Sequence, residues 1–173
     1  MSRVVFRQNS CYTGNMFREM RRFKQQVTEE DCVKILKNEW RGVLALLGDD
    51  GYPYTVPLNF FYDDEDRKIY FHCAKEGHKI DAIEKCTKAS FCVMDKGFKK
   101  EGDWAYTVTS VVVFGRIKKV LEPDKTMEKV KRLGYKYYPS KDAVEEEWEH
   151  AKNRVLCLEL DIEHMTGKCV HEA

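Results

Sequence analysis

Six segments of this chain read as strands, Val43–Leu47 as a continuous apolar run and Tyr54–Tyr62, Lys68–Cys73, Ala89–Met94, Tyr106–Val120 and Val155–Ile162 with apolar residues spaced for one buried face, the first three joined by short turns. Alternation sends successive side chains to opposite faces, so each segment suits a strand with one buried face. Gly48-Asp-Asp-Gly51 closes the first segment in a tight turn, and Asp63–Asp66 closes the second. Pro53 and Pro57 cannot donate to a ladder, which puts the second strand at an edge or a bulge. Gly115 lets the long fifth strand bend.

Helical spacing is rarer. Thr28-Glu-Glu-Asp31 forms a capping-box-like start, followed by Cys32, Ile35 and Leu36 on one stripe. Gly77 opens a short helix from His78 to about Cys86, with Ile80, Ile83 and Cys86 as its apolar stripe. Pro123–Tyr138 and Lys141–Ala151 read as two more helices, the second acidic. Strands outnumber helices and follow each other closely. The predicted class is therefore mainly β with peripheral helices: an antiparallel barrel rather than a doubly wound parallel sheet.

The chain's 173 residues suffice for one domain with a real core. Residues 1–25 hold six Arg or Lys against the single acid Glu19 and read as a basic arm, with one domain over 26–173. A formal net charge of +1 does not suggest a nucleic-acid partner. No uncharged run approaches the ~20 residues of a membrane helix, and no signal-peptide pattern opens the chain, so the expected location is cytoplasmic. Seven cysteines without a CxxC pair fit buried thiols better than disulfides or zinc, and no metal site is expected.

One stretch points to chemistry: IYFHCAKEGHKIDAI, residues 69–83. Alternation places Tyr70 and His72 on one face of a strand and Ile69, Phe71 and Cys73 on the other. With the second set as core, Tyr70 and His72 face outward as a stacking surface. Gly77 permits close backbone approach, and the first amides of the following helix have no intrahelical acceptors. His78 and Lys79 add donors and charge at the same place. This combination suits a phosphorylated ligand with a flat ring system. On spacing alone it also suits an ordinary polar helix start.

Four segments in order carry a resemblance: DDGYPYTVPLNFFY (49–62), IYFHCAKEGHKIDAI (69–83), TSVVVFGRIKKV (109–120) and IEHMTGK (162–168). Together they resemble the NimA-like 5-nitroimidazole resistance proteins of the pyridoxamine 5′-phosphate oxidase-like superfamily. The resemblance implies a six-stranded antiparallel split β-barrel that binds FMN between the subunits of a homodimer. It implies backbone contacts to the flavin ring from Pro57, Leu58, Asn59 and Phe60. Tyr70, Phe71 and His72 would run beside the ring, and Gly77, His78 and Lys79 would hold the phosphate. Ser110, Val112 and Phe114 of the second copy would complete the cleft. His72 is the implied catalytic residue. The expected activity is FMN-dependent reduction of a small planar acceptor such as a nitroimidazole. The electron donor would visit transiently, as NAD(P)H does, since no GxGxxG site is present. A non-catalytic flavin carrier or sensor is one alternative. A haem protein with His72 or His78 as axial ligand is another. The phosphate motif departs from the superfamily's usual Arg-Lys, because histidine donates fewer hydrogen bonds than a guanidinium.

Overall fold

Eight strands pair into an antiparallel sheet in a computed structural model that describes residues 17–172. They are β1 (Arg41–Leu47), β2 (Pro53–Asn59), β3 (Phe61–Asp63), β4 (Lys68–Ala74), β5 (Lys88–Met94), β6 (Phe98–Lys99), β7 (Tyr106–Lys119) and β8 (Val155–His171). The order is β2-β1-β5-β7-β8-β4-β3, with β6 added beside β7. Its two outer strands, β2 and β3, are separated in sequence by Phe60 alone. The sheet must therefore curl until its ends meet. The result is a half-barrel with α1 (Glu29–Asn38), α2 (His78–Lys85), α3 (Pro123–Tyr137) and α4 (Lys141–Ala151) around it.

The inward residues make an apolar core. Leu44, Ile69, Phe60, Phe71 and Phe91 are fully buried. Phe60 and Phe71 each meet Phe91 edge-on, at centroid distances of 5.0 and 5.1 Å. Each such side chain contributes about 1.5–3 kcal/mol by leaving water. Thr28 caps α1 by accepting from the Asp31 amide, and Cys32 and Leu36 bury the stripe read from the sequence. Cys32 sits so close to β8 that a Cβ on Gly167 would overlap its sulfur.

Three strand expectations need correction. Six strands were expected and eight form. Tyr54–Tyr62 is not one strand: it breaks at Phe60, where the Tyr137 hydroxyl accepts from the Phe60 amide at 2.9 Å. Phe98–Lys99 adds a two-residue strand in what reads as a loop. The last strand also runs nine residues beyond Ile162, so that Met165–Lys168 pairs with β7 rather than following the sheet. That extension has little alternation to reveal it. It forms because β7 supplies a long template, with Glu163 bulged out between the Phe114–His164 and Gly115–Ile162 pairs.

The arm is described only in part, since residues 1–16 lie outside the described residues. Residues 17–27 follow β8: the Val27 amide donates to the Gly167 carbonyl, and Phe17 stacks on His164 at 4.6 Å. Among the described residues no helix is long and apolar enough to cross a membrane.

Candidate active site

The break at Phe60 leaves a seam in the barrel. Beyond the Phe61–Tyr70 pair, β3 has ended, and Phe71–Ala74 of β4 pair only with β8 on their far side. β2 in turn pairs only with β1. Two strand edges with unpaired main-chain donors and acceptors thus border the seam, one from Pro53–Asn59 and one from Phe71–Ala74. Pro57, Leu58 and Asn59 lie on the first edge; Phe71 and His72 lie on the second. Two elements of α3 hold the break in shape. The Tyr137 hydroxyl lies 2.5 Å from the Trp40 carbonyl and 2.9 Å from the Phe60 carbonyl. The Lys136 ammonium donates to the Glu39 carbonyl at 2.5 Å and lies 3.4 Å from that of Phe60.

Past β4 the chain turns at Gly77, whose φ of +114° is open to glycine and strained for other residues. A Cβ there would meet nothing, so the requirement is conformational rather than steric. No side chain caps α2. Lys79 forms no ion pair among the described residues. His78, by contrast, is engaged: its ring stacks on Tyr54 at 4.0 Å, and Nε2 lies 3.6 Å from an Asp49 carboxylate oxygen. An anion at this helix start would meet the amides and Lys79, with His78 turned to Asp49.

His72 points outward from β4 as the alternation requires. Burial, reinforced by the Lys79 charge, holds its imidazole below the ordinary histidine pKa, while Glu147 pulls the other way. The ring is thus kept in its neutral form over a wider pH range. Its expected companion does not share the exposed face. Tyr70 is fully buried beneath α3, with Val120 and Cys157. Its hydroxyl donates to Asp66 at 2.5 Å. The Lys129 ammonium lies 5.3 Å above its ring and is paired with Asp63 at 2.7 Å. The reason is α3, which lies over this part of the sheet and turns an outer face into a second core. The Phe60 and Phe71 rings are likewise in the main core, so only their main chain borders the seam.

Ser110, Val112 and Phe114 occupy the outer face of β7, away from the seam. Register aligns Pro57, Val43, Cys92 and Val112 in one row across β2, β1, β5 and β7. Val43, Leu47, Met94 and Phe114 keep 40–60% of their surface exposed, leaving this face apolar. Sequence reasoning missed Lys136, Tyr137 and the Tyr54–His78 stack. No motif announces them, since each acts through a contact distant in sequence.

The architecture is a β-barrel split along one seam, with a glycine-led helix start beside the opening. The chain belongs to the pyridoxamine 5′-phosphate oxidase family, which matches residues 28–169. Solved structures share the fold. A candidate 5-nitroimidazole antibiotic resistance protein from Bacteroides thetaiotaomicron is similar at 18% identity and TM-score 0.69, over 84% of this chain and 87% of that one. A FAD-binding protein from Mesorhizobium loti is similar at 21% identity and TM-score 0.60, over 84% and 96%. A FAD and heme binding protein from Mycobacterium smegmatis is similar at 18% identity and TM-score 0.67, over 86% and 74%. No curated protein matches the chain.

Proposed function

We propose that this protein binds FMN in the seam and uses it to reduce small planar acceptors of the nitroimidazole kind, as a homodimer. The observation that carries the reading is the seam itself: two unpaired strand edges beside the α2 start, which no side chain caps, and Lys79, which forms no ion pair among the described residues. A flavin ring edge alternates hydrogen-bond donors and acceptors, as a free strand edge does. One helix start and one ammonium suit a single phosphate, which favours FMN over FAD. The flavin supplies the electron chemistry. Lys79 and the first α2 amides hold the phosphate. The β2 edge orients the ring, and His72 offers a proton or hydrogen bond to the acceptor. The apolar outer face of β1, β5 and β7 supports the second copy, whose Ser110, Val112 and Phe114 would border the cleft. The recess that His72 faces holds about 80 Å³, far too little for a porphyrin, which disfavours His72 as a haem ligand.

The test is reconstitution with excess FMN, followed by dilution and visible spectroscopy. Wild-type protein should stay yellow, release FMN with acid and show no Soret band. Lys79→Ala should lose most of its flavin on dilution. His72→Ala should keep flavin and lose NAD(P)H-dependent turnover of a nitroimidazole. Equal FMN retention by Lys79→Ala at dilute protein overturns the phosphate assignment. Flavin retention without turnover in the wild type assigns a carrier instead.

A further inference from the structure

A cleft of about 330 Å³ opens between α1, β3 and α3, and the flavin reading makes no use of it. Phe61, Tyr62 and Tyr135 give it aromatic walls, and three cations line it: Lys37, Arg132 and Lys136. Two of these are spoken for. Lys37 pairs with Asp64, and Arg132 pairs with Asp63 at 2.6 Å. Lys136 forms no ion pair among the described residues. Its nitrogen is held by main-chain carbonyls, 2.5 Å from that of Glu39 and 3.4 Å from that of Phe60, with the Phe60 ring 4.2 Å away.

We propose that Lys136 is a nucleophile that captures a neutral, single-ring aromatic aldehyde in this cleft as an imine. The free amine follows from its partners. Two carbonyls engage two N–H groups, which is all that a neutral amine has, so losing the third proton breaks no hydrogen bond. Burial acts in the same direction and lowers the Lys136 pKa to about 8, against a weaker pull from Glu39. At pH 8 about a hundredfold more of it is free base than of an ordinary lysine. The ring follows from the three aromatic walls. Its size follows from the volume: an apolar cavity of about 150 Å³ takes a benzene, and this cleft holds about twice that. Neutrality follows from the charges. Arg132 already meets Asp63, Glu65 and Glu128, and Lys37 meets Asp64, so no cation is left over for an anionic substituent.

In the step itself the Lys136 nitrogen adds to the aldehyde carbon and the C–N bond forms. The carbonyl oxygen leaves as water with both amine protons, and solvent returns one proton to the imine nitrogen. No electrons change hands. The remaining N–H stays on the Glu39 carbonyl. The Phe60 carbonyl still has the Tyr137 hydroxyl 2.9 Å away, so the strand break keeps its clamp.

The experiment treats full-length protein with benzaldehyde and cyanoborohydride at about pH 8, which fixes the imine as a benzylamine. Peptide mass mapping should place the label on Lys136 about tenfold faster than on any other lysine. The Lys136 rate should level off as benzaldehyde rises, because binding precedes condensation. Propanal, which lacks the ring, should react at Lys136 without levelling off. Benzyl alcohol, the same ring without the carbonyl, should slow labelling of Lys136 and leave the exposed Lys34 unaffected. Excess FMN should change none of these rates, and protein that retains no FMN should label equally, which separates this site from the flavin reading. A label spread evenly over the lysines, a rate linear in benzaldehyde, or no protection by benzyl alcohol would overturn the proposal.

Discussion

Tyr137→Phe removes one oxygen from the point where the barrel opens, and its cost can be worked from the contacts. The hydroxyl accepts from the Phe60 amide at 2.9 Å and donates to the Trp40 or the Phe60 carbonyl. Phe60 is fully buried, so its amide has no exchange with water to fall back on. Leaving a buried donor unmatched costs about 1–3 kcal/mol, and losing the donated bond adds about 0.5–1.5 kcal/mol. The expected loss is about 2–4 kcal/mol. Burial holds the phenol protonated well above its usual range, so the loss should not vary between pH 6 and 9. Urea unfolding should show a lower midpoint at an unchanged slope. Hydrogen exchange should quicken at the Phe60 amide. Tyr135→Phe, which removes an exposed hydroxyl facing Glu145, should cost less than about 0.5 kcal/mol. A Tyr137→Phe loss no larger than this control would refute the view that α3 staples the strand break.

Three further outcomes follow from the same geometry. Gly115→Ala should unpick β7 from β8, since a Cβ there overlaps the Asp161 carbonyl; a loss above about 4 kcal/mol or insoluble protein is expected in a thermal melt. Burial depresses Lys136 to about pH 8, against a weaker pull from Glu39. The unfolded chain therefore holds that proton to higher pH, and wild-type stability should rise from pH 8 toward 10.5, a rise absent from Lys136→Met unfolding curves. Burial would raise Glu159, but Lys125, Lys68 and Lys118 outweigh it and hold it down to about 2. Glu159→Gln should cost about 3 kcal/mol at pH 7, and the gap to wild type should close as pH falls from about 4.5 to 2 in acid-unfolding titrations.

The strands that carry the barrel were legible because each brings the apolar residues of a buried face, as alternation in Lys68–Cys73 and as a continuous run in Val43–Leu47. Lys141–Ala151 was readable to the residue, since Ser140 caps it and its apolar residues keep helical spacing. Alternation alone, however, cannot say what covers an outer face. Tyr70 and His72 are equivalent by that rule, yet α3 buries Tyr70 completely while His72 keeps access to solvent at the edge of a recess beside α3 and α4. The break at Phe60 was hidden for a related reason. Its hydrogen bonds go to Tyr137, 77 residues away, and nothing in the local sequence marks the exchange. Gly77 and Lys79 could be read locally because a helix start is a local object. The engagement of His78 could not, because Tyr54 and Asp49 come from other elements.

The excursion that bears α3 and α4 leaves and rejoins the sheet at neighbouring points, with Lys119 beside Leu158. A short turn would span that gap without rethreading anything. The roof over His72 is in this sense a cassette, open to exchange in evolution or at the bench while the walls below keep their pairing. Such an exchange carries obligations, since Lys129 and Lys125 neutralise the buried Asp63 and Glu159 as well. Whatever replaces the cassette must bring its own hydroxyl to the amide of residue 60, or the floor it inherits will sag.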